Sequence, residues 1–125
     1  KTFKDLISGR GSKKLISVAP TQTVSEAIEW MKKYEIENIP VFDGDNNIGA
    51  ISESGLFNKI LNNPGVKSEL ITSIMEKPYP EVAFDTPVER LSSFITKENG
   101  AVLSKDESGS YHIVTKYDII QSLSK

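Results

Sequence analysis

Among the residues able to do chemistry, the most informative group lies near the C-terminus, in Ile113-Val114-Thr115-Lys116-Tyr117-Asp118. An apolar run ends there and a helical pattern begins. A carboxylate at that junction has two uses. It can cap the helix, since Asp is a preferred capping residue. It can also accept hydrogen bonds from the two hydroxyls of a ribose, each charge-assisted bond contributing about 1.5–3 kcal/mol. Thr115 adds a hydroxyl at the end of the apolar run. Lys116 can face a phosphate, since a helix N-terminus favours anions, although a surface lysine is more often merely solvated. From residue types alone, capping is the simpler reading, and both stay open.

Other chemistry finds little support. The chain has no cysteine, which removes thiol nucleophiles, disulfides and zinc–thiolate sites. His112 is the only histidine, and its place between Tyr111 and Ile113 puts it on the solvent face of a strand. Asp43 and Asp45 belong to a polar turn rather than to an acid–base pair. The segment Gly9-Arg10-Gly11-Ser12-Lys13-Lys14 does not fit a phosphate loop, and no hydrophobic strand precedes it. No catalytic residue, metal site or cofactor is expected, and the chain is not expected to be an enzyme on its own.

The bulk figures agree. The chain has 125 residues, 38% hydrophobic and 26% charged, as folded domains do. Its formal charge is −2, so no positive field collects nucleic acid. No apolar run approaches the roughly 20 residues of a membrane helix. A cytoplasmic protein is expected. The start, Lys1-Thr2-Phe3-Lys4-Asp5, lacks Met and reads as the beginning of a piece of a longer protein.

The elements that must position these residues repeat. Thr23-Val24-Ser25-Glu26 and Thr86-Pro87-Val88-Glu89 both read as capping boxes, 63 residues apart, with Pro87 at the first helical position. Apolar residues at helical spacing follow each: Val24, Ala27, Ile28, Met31 and Tyr34, then Val88, Leu91, Phe94 and Ile95. The second helix is expected to be short, because Asn99-Gly100 stops it. Two strands and a polar turn come next, Ile39–Phe42 with Ile48–Ile51, then Ala101–Leu103 with Tyr111–Val114. Closing helices open near Ser54 and Tyr117. A strand is expected before each box, at Leu15–Val18 and Glu81–Ala83. Trp30, Phe57 and Leu61 either cover the core or form an association surface.

The expected fold is therefore α+β, two tandem β-α-β-β-α repeats packed as a pseudo-symmetric pair. Residues 1–14 read as a lead-in from an upstream domain and 15–63 as the first repeat. Residues 64–80 form a connection, and 81–125 the second repeat.

The ordered set of cap box, strand with Pro as in Ile39-Pro40-Val41, turn, and hydrophobics ending in Thr-x-x-Asp resembles the CBS domain. The tandem arrangement resembles a CBS pair, or Bateman module. The segment Ile74–Pro78 is similar to the usual entry to a second repeat. The opening Lys1–Leu6 and the stretch Ser52–Leu56 further resemble the C-terminal region of cystathionine β-synthases, in which a PLP-dependent catalytic domain precedes the pair.

That resemblance implies a regulatory module that senses an adenosine-containing ligand and modulates an attached enzyme. The ligand would be S-adenosylmethionine, AMP, ADP or ATP, and the enzyme cystathionine β-synthase in the narrower case. The alternative is a ligand-free module for dimerisation and interaction; a homodimer is expected in either case. The resemblance assigns Asp118 to the ribose and Thr115 beside it, with Lys116 and Lys14 toward any phosphate. It adds Ile16, Ile36, Asn38, Ile39 and Pro40 from the first repeat, with backbone groups of Glu37, Asn38 and Ile39 on the adenine edge. Some S-adenosylmethionine-binding relatives carry an aromatic residue at the place of Ile36, and Ile packs less well on a sulfonium. In the first repeat, Gly55 stands where the Asp of the motif belongs. One working site is therefore expected rather than two.

Overall fold

Helix formation in this chain is set by short-range chemistry at helix starts. The computed structural model describes residues 1–9 and 15–123. Helix α1 spans Phe3–Gly9 and α2 spans Val24–Tyr34. At α2 the Glu26 N–H donates to Thr23 Oγ1 at 3.3 Å, and the Thr23 N–H donates to Glu26 Oε1 at 3.0 Å. That backbone donor is the main reason the Glu26 carboxyl titrates below its ordinary value. The box turns Val24, Ala27 and Met31 inward. The helix stops at Glu35, which adopts a left-handed φ of 52° and returns its N–H to the Met31 carbonyl.

A hairpin follows, β1 (Asn38–Asp43) antiparallel to β2 (Asn46–Ser52), turning through Gly44 at φ 62°. Helix α3 (Glu53–Asn62) closes the repeat. Short 3-10 turns at Pro64–Ser68 and Ile71–Ser73 lead on. The same order then recurs: α4 (Val88–Leu91), β3 (Ala101–Lys105) antiparallel to β4 (Tyr111–Thr115), and α5 (Lys116–Leu123). The second turn uses Gly109 at φ 89°.

Two compact units result. One is Ile16–Pro78, and the other combines Lys1–Leu15 with Tyr79–Lys125. The first buries Val24, Ile39, Val41, Ile51, Leu56 and Ile71. The second buries Phe3, Val88, Leu91, Val102, Val114 and Ile119. Phe3 comes from the segment expected as a lead-in. The α1 backbone is tied down by Phe3 N–H to the Thr86 carbonyl at 2.8 Å and Val88 N–H to the Lys1 carbonyl at 2.8 Å.

Three expectations are corrected. The strands before the cap boxes shrink to single parallel bridges, Val18 with Val41 and Glu81 with Leu103. The chain turns away at once: Gln22 N–H returns to the Ala19 carbonyl after Val18, and Thr86 N–H to the Ala83 carbonyl after Val82. Pro20, Pro78 and Pro80 also lack the N–H that a longer ladder needs. The second capping box does not form. Pro87 itself is the cap residue, extended at φ −63° and ψ 145°, and the Thr86 hydroxyl donates to the Ala83 carbonyl instead at 2.6 Å. Pro87 thus precedes the helix instead of opening it. Finally, His112 is half-buried rather than solvent-facing.

Candidate functional site

Strand β4 runs directly into α5, and this continuity places the candidate residues. Thr115 is the last strand residue. Its N–H donates to Asp118 Oδ2 at 2.9 Å and its hydroxyl to the same oxygen at 3.2 Å. The Asp118 N–H returns to Thr115 Oγ1 at 3.5 Å. Both side chains are half-buried, while Lys116 and Tyr117 are exposed. The two residues form a reciprocal box in which Thr115, just before α5, accepts the Asp118 N–H and the Asp118 carboxylate reaches back to Thr115, so the carboxylate is held at one defined place.

The same geometry occurs at the start of α1. Asp5 Oδ2 accepts the Thr2 N–H at 2.9 Å and the Thr2 hydroxyl at 3.2 Å. The Thr2 N–H holds the Asp5 carboxyl below its ordinary value. Sequence reasoning overlooked this box, although Thr2 and Asp5 have the spacing that marks one. These bonds by themselves describe a cap. Asp118 differs from Asp5 in its place, where strand β4 runs directly into α5.

The first-repeat candidates lie in the other unit. Ile16 is half-buried. Ile36 packs on the first core and donates its N–H to the Met31 carbonyl at 3.1 Å. Asn38, Ile39 and Pro40 are consecutive on β1, with Ile39 and Pro40 fully buried. Ile39 belongs to the core. The Glu37 carbonyl accepts the Glu53 N–H at 2.9 Å, so that backbone acceptor already serves the start of α3. Lys14 lies outside the described residues.

The start of α3 departs from expectation. Ser52 caps it, taking the Gly55 N–H at 3.1 Å. The Ser52 hydroxyl donates in turn to Glu76 Oε1 at 2.8 Å. A Cβ on Gly55 would stand 2.7 Å from Glu76 Oε2. Glu76 is delivered by its backbone, which exchanges hydrogen bonds with Ala50 at 2.8 and 3.0 Å. Position 55 itself brings no carboxylate, and the Glu76 carboxylate beside it is supplied from another segment.

The remaining titratable cluster closes the β3–β4 turn. Asp106 accepts from Ser108 N–H at 2.8 Å, Ser108 Oγ at 2.6 Å and Ser110 N–H at 3.0 Å. His112 Nε2 lies 2.8 Å from Asp106 Oδ2, and its ring lies 5.7 Å from that of Phe84. These bonds, that to His112 foremost, hold the Asp106 carboxyl far below the ordinary carboxylate range. Among the described residues no three His, Asp or Glu gather as a metal set. No helix among them is long and apolar enough to cross a membrane.

The family model of the CBS domain matches residues 4–62. Solved structures extend the likeness to nearly the whole chain. A CBS-domain-containing protein from Agrobacterium tumefaciens aligns with a TM-score of 0.85 at 17% identity, covering 98% of this chain and 99% of its own.

The chain folds as a CBS-domain pair.

Two further CBS-type structures carry ligands. The CBS-domain pair of protein MJ0100, solved with 5′-methylthioadenosine and S-adenosyl-L-methionine, has a TM-score of 0.80 and 24% identity, covering 99% of this chain and 96% of its own. CBSX2, solved with AMP, has a TM-score of 0.72 and 17% identity, covering 98% and 96%. No curated protein matches this CBS pair by sequence.

Proposed function

We propose that this CBS pair is a regulatory module that senses an adenosine-containing ligand and modulates an attached enzyme. Asp118 takes the ribose hydroxyls, with Thr115 beside it and Lys116 toward any phosphate. The observation that carries the reading is the place of Asp118 where β4 runs into α5, with its Oδ2 held there by the Thr115 N–H and hydroxyl at 2.9 and 3.2 Å. A carboxylate already held in place loses little freedom when a diol binds, which is the advantage of a pre-organised site. The MJ0100 and CBSX2 structures support the ligand class, since both hold adenosyl compounds. Among these, Ile36 favours an adenine nucleotide over S-adenosylmethionine. Cystathionine β-synthase is one candidate host, and that narrower assignment rests on the sequence resemblance alone. So do the ligand roles of Ile16, Ile36 and Asn38–Pro40.

A thermal-shift series with AMP, ADP, ATP and S-adenosylmethionine tests the ligand. A true ligand at about 100 times its dissociation constant adds about 2.7 kcal/mol of stability. Unmoved melting with all four would argue against the sensor.

A second reading has its own observation. Phe57 and Leu61 on α3 are 61% and 64% exposed, and Tyr117, Ile120 and Leu123 on α5 are 66%, 53% and 68% exposed. Equivalent helices of the two repeats thus both show apolar side chains to solvent, as association surfaces do. Self-association is compatible with ligand sensing, and sedimentation would detect it as a dimer.

A further inference from the structure

The chain has two methionines, Met31 and Met75, and the fold places them differently. Met31 lies on α2 within the first core and is 8% exposed. Met75 packs against the same core but is only half-buried. It stands between Ile74, which is buried, and Glu76, which is exposed. A small solute therefore reaches Met75 more easily than Met31.

The seat of Met75 is the backbone of β2. Gly49 is buried there, and a Cβ added to it would stand 2.6 Å from Met75 Sδ, 3.0 Å from Met75 Cγ and 3.2 Å from the Glu76 carbonyl oxygen. The sulfur thus fills the space that a side chain at residue 49 would take. Gly49 also borders an irregularity in the hairpin: Val41 pairs with Gly49, and the register then shifts so that Phe42 pairs with Asn47. The backbone around the thioether is fastened at two points. The Met75 N–H donates to the Ile71 carbonyl at 2.9 Å, and Glu76 exchanges hydrogen bonds with Ala50 at 2.8 and 3.0 Å.

A sulfoxide does not suit that seat. Oxidation turns the flexible apolar thioether into a polar, chiral group. The added oxygen needs both space and a hydrogen-bond donor. Close packing against β2 leaves little space, and the N–H groups of Ala50 and Glu76 are already engaged with each other's carbonyls.

We propose that Met75 is an oxidation site whose sulfoxide releases the Ala50–Glu76 bridge and loosens the chain where it leaves the first unit. Hydrogen peroxide transfers one oxygen to Met75 Sδ. The O–O bond breaks and an S–O bond forms; the sulfur loses two electrons and the peroxide is reduced to water. This device is independent of the ligand reading of Asp118.

The test is treatment of the 125-residue chain with dilute hydrogen peroxide, read by peptide mass spectrometry and by amide hydrogen exchange. Met75 is expected to gain oxygen at least about tenfold faster than Met31, and the Ala50 and Glu76 amides of the oxidised chain to exchange at least about tenfold faster than before. Met75→Leu keeps the apolar volume; it is expected to fold as wild type does and to show no change at those amides under peroxide. Met75 reacting no faster than Met31 would overturn the proposal. So would an oxidised Met75 that leaves both amides as slow as before, or the same acceleration in peroxide-treated Met75→Leu, since its source would then lie elsewhere.

Discussion

Ser52 and Glu76 are joined by a 2.8 Å hydrogen bond beside Gly55, where an added Cβ would stand 2.7 Å from Glu76 Oε2 and force that side chain to shift. Aspartate introduced at Gly55 would bring a second carboxylate against the first. Gly55→Asp alone is expected to destabilise the chain by about 1–3 kcal/mol, through crowding and like charge. Added to Glu76→Ala, it should cost less than the two single changes together, with a coupling of about 0.5–3 kcal/mol. Chemical denaturation of the four chains measures this cycle; simple additivity would mean that the two positions do not share one space.

Helix α1 is part of the second unit's core rather than a tether. Phe3 is completely buried among Val88, Leu91, Val102 and their neighbours. Phe3→Ala is expected to cost about 3–5 kcal/mol, the range for emptying a buried aromatic site. Urea unfolding checks it. A loss below about 1 kcal/mol would show that α1 docks only loosely.

Ser104 is a fully buried polar side chain, and its hydroxyl donates to the Val82 carbonyl at 2.6 Å. That bond fastens the segment before α4 to β3. Ser104→Ala leaves the carbonyl without this donor and is expected to cost about 1–3 kcal/mol. Faster amide exchange should then be confined to Val82 and Leu103, whose backbones share the same bridge.

The Asp106 turn makes the second unit acid-sensitive. The Asp106 carboxyl is held below its ordinary value of 3.8, by His112 first and then by Ser108 and Ser110. A depressed carboxyl contributes stability that is full above its unfolded value and is lost as pH falls through the folded one. Melting temperature should therefore fall from about pH 4 downward, and the fall should be shallower in Asp106→Asn. Parallel acid profiles for the two chains would show that Asp106 is not the group responsible.

Much of this was legible in the sequence, and the exceptions have physical causes. The 63-residue spacing exposed the repeat, and turn residues exposed both hairpins, because these signals are local. Thr23 and Glu26 bond as their spacing implies. Thr86 and Glu89 have the same spacing and do not, because Pro87 takes the cap position and the Thr86 hydroxyl turns back to Ala83. Helix α1 carried a readable box at Thr2 and Asp5, which the short apolar content of Leu6 and Ile7 obscured. The pairing of Thr115 with Asp118 was legible because the two are contiguous in the motif. Glu76 was not, since nothing local ties residue 76 to residue 55; only the bridge between Glu76 and Ala50 brings them together.

The most direct test is calorimetric titration of the wild-type and Asp118→Ala chains with AMP, ADP, ATP and S-adenosylmethionine. At least one of these is expected to bind the wild-type chain, and Asp118→Ala should weaken that ligand at least about tenfold at the second-repeat site while the protein stays folded. Silence from all four in the folded wild-type chain, or unchanged affinity in Asp118→Ala, would contradict the assignment and leave Asp118 as a helix cap alone.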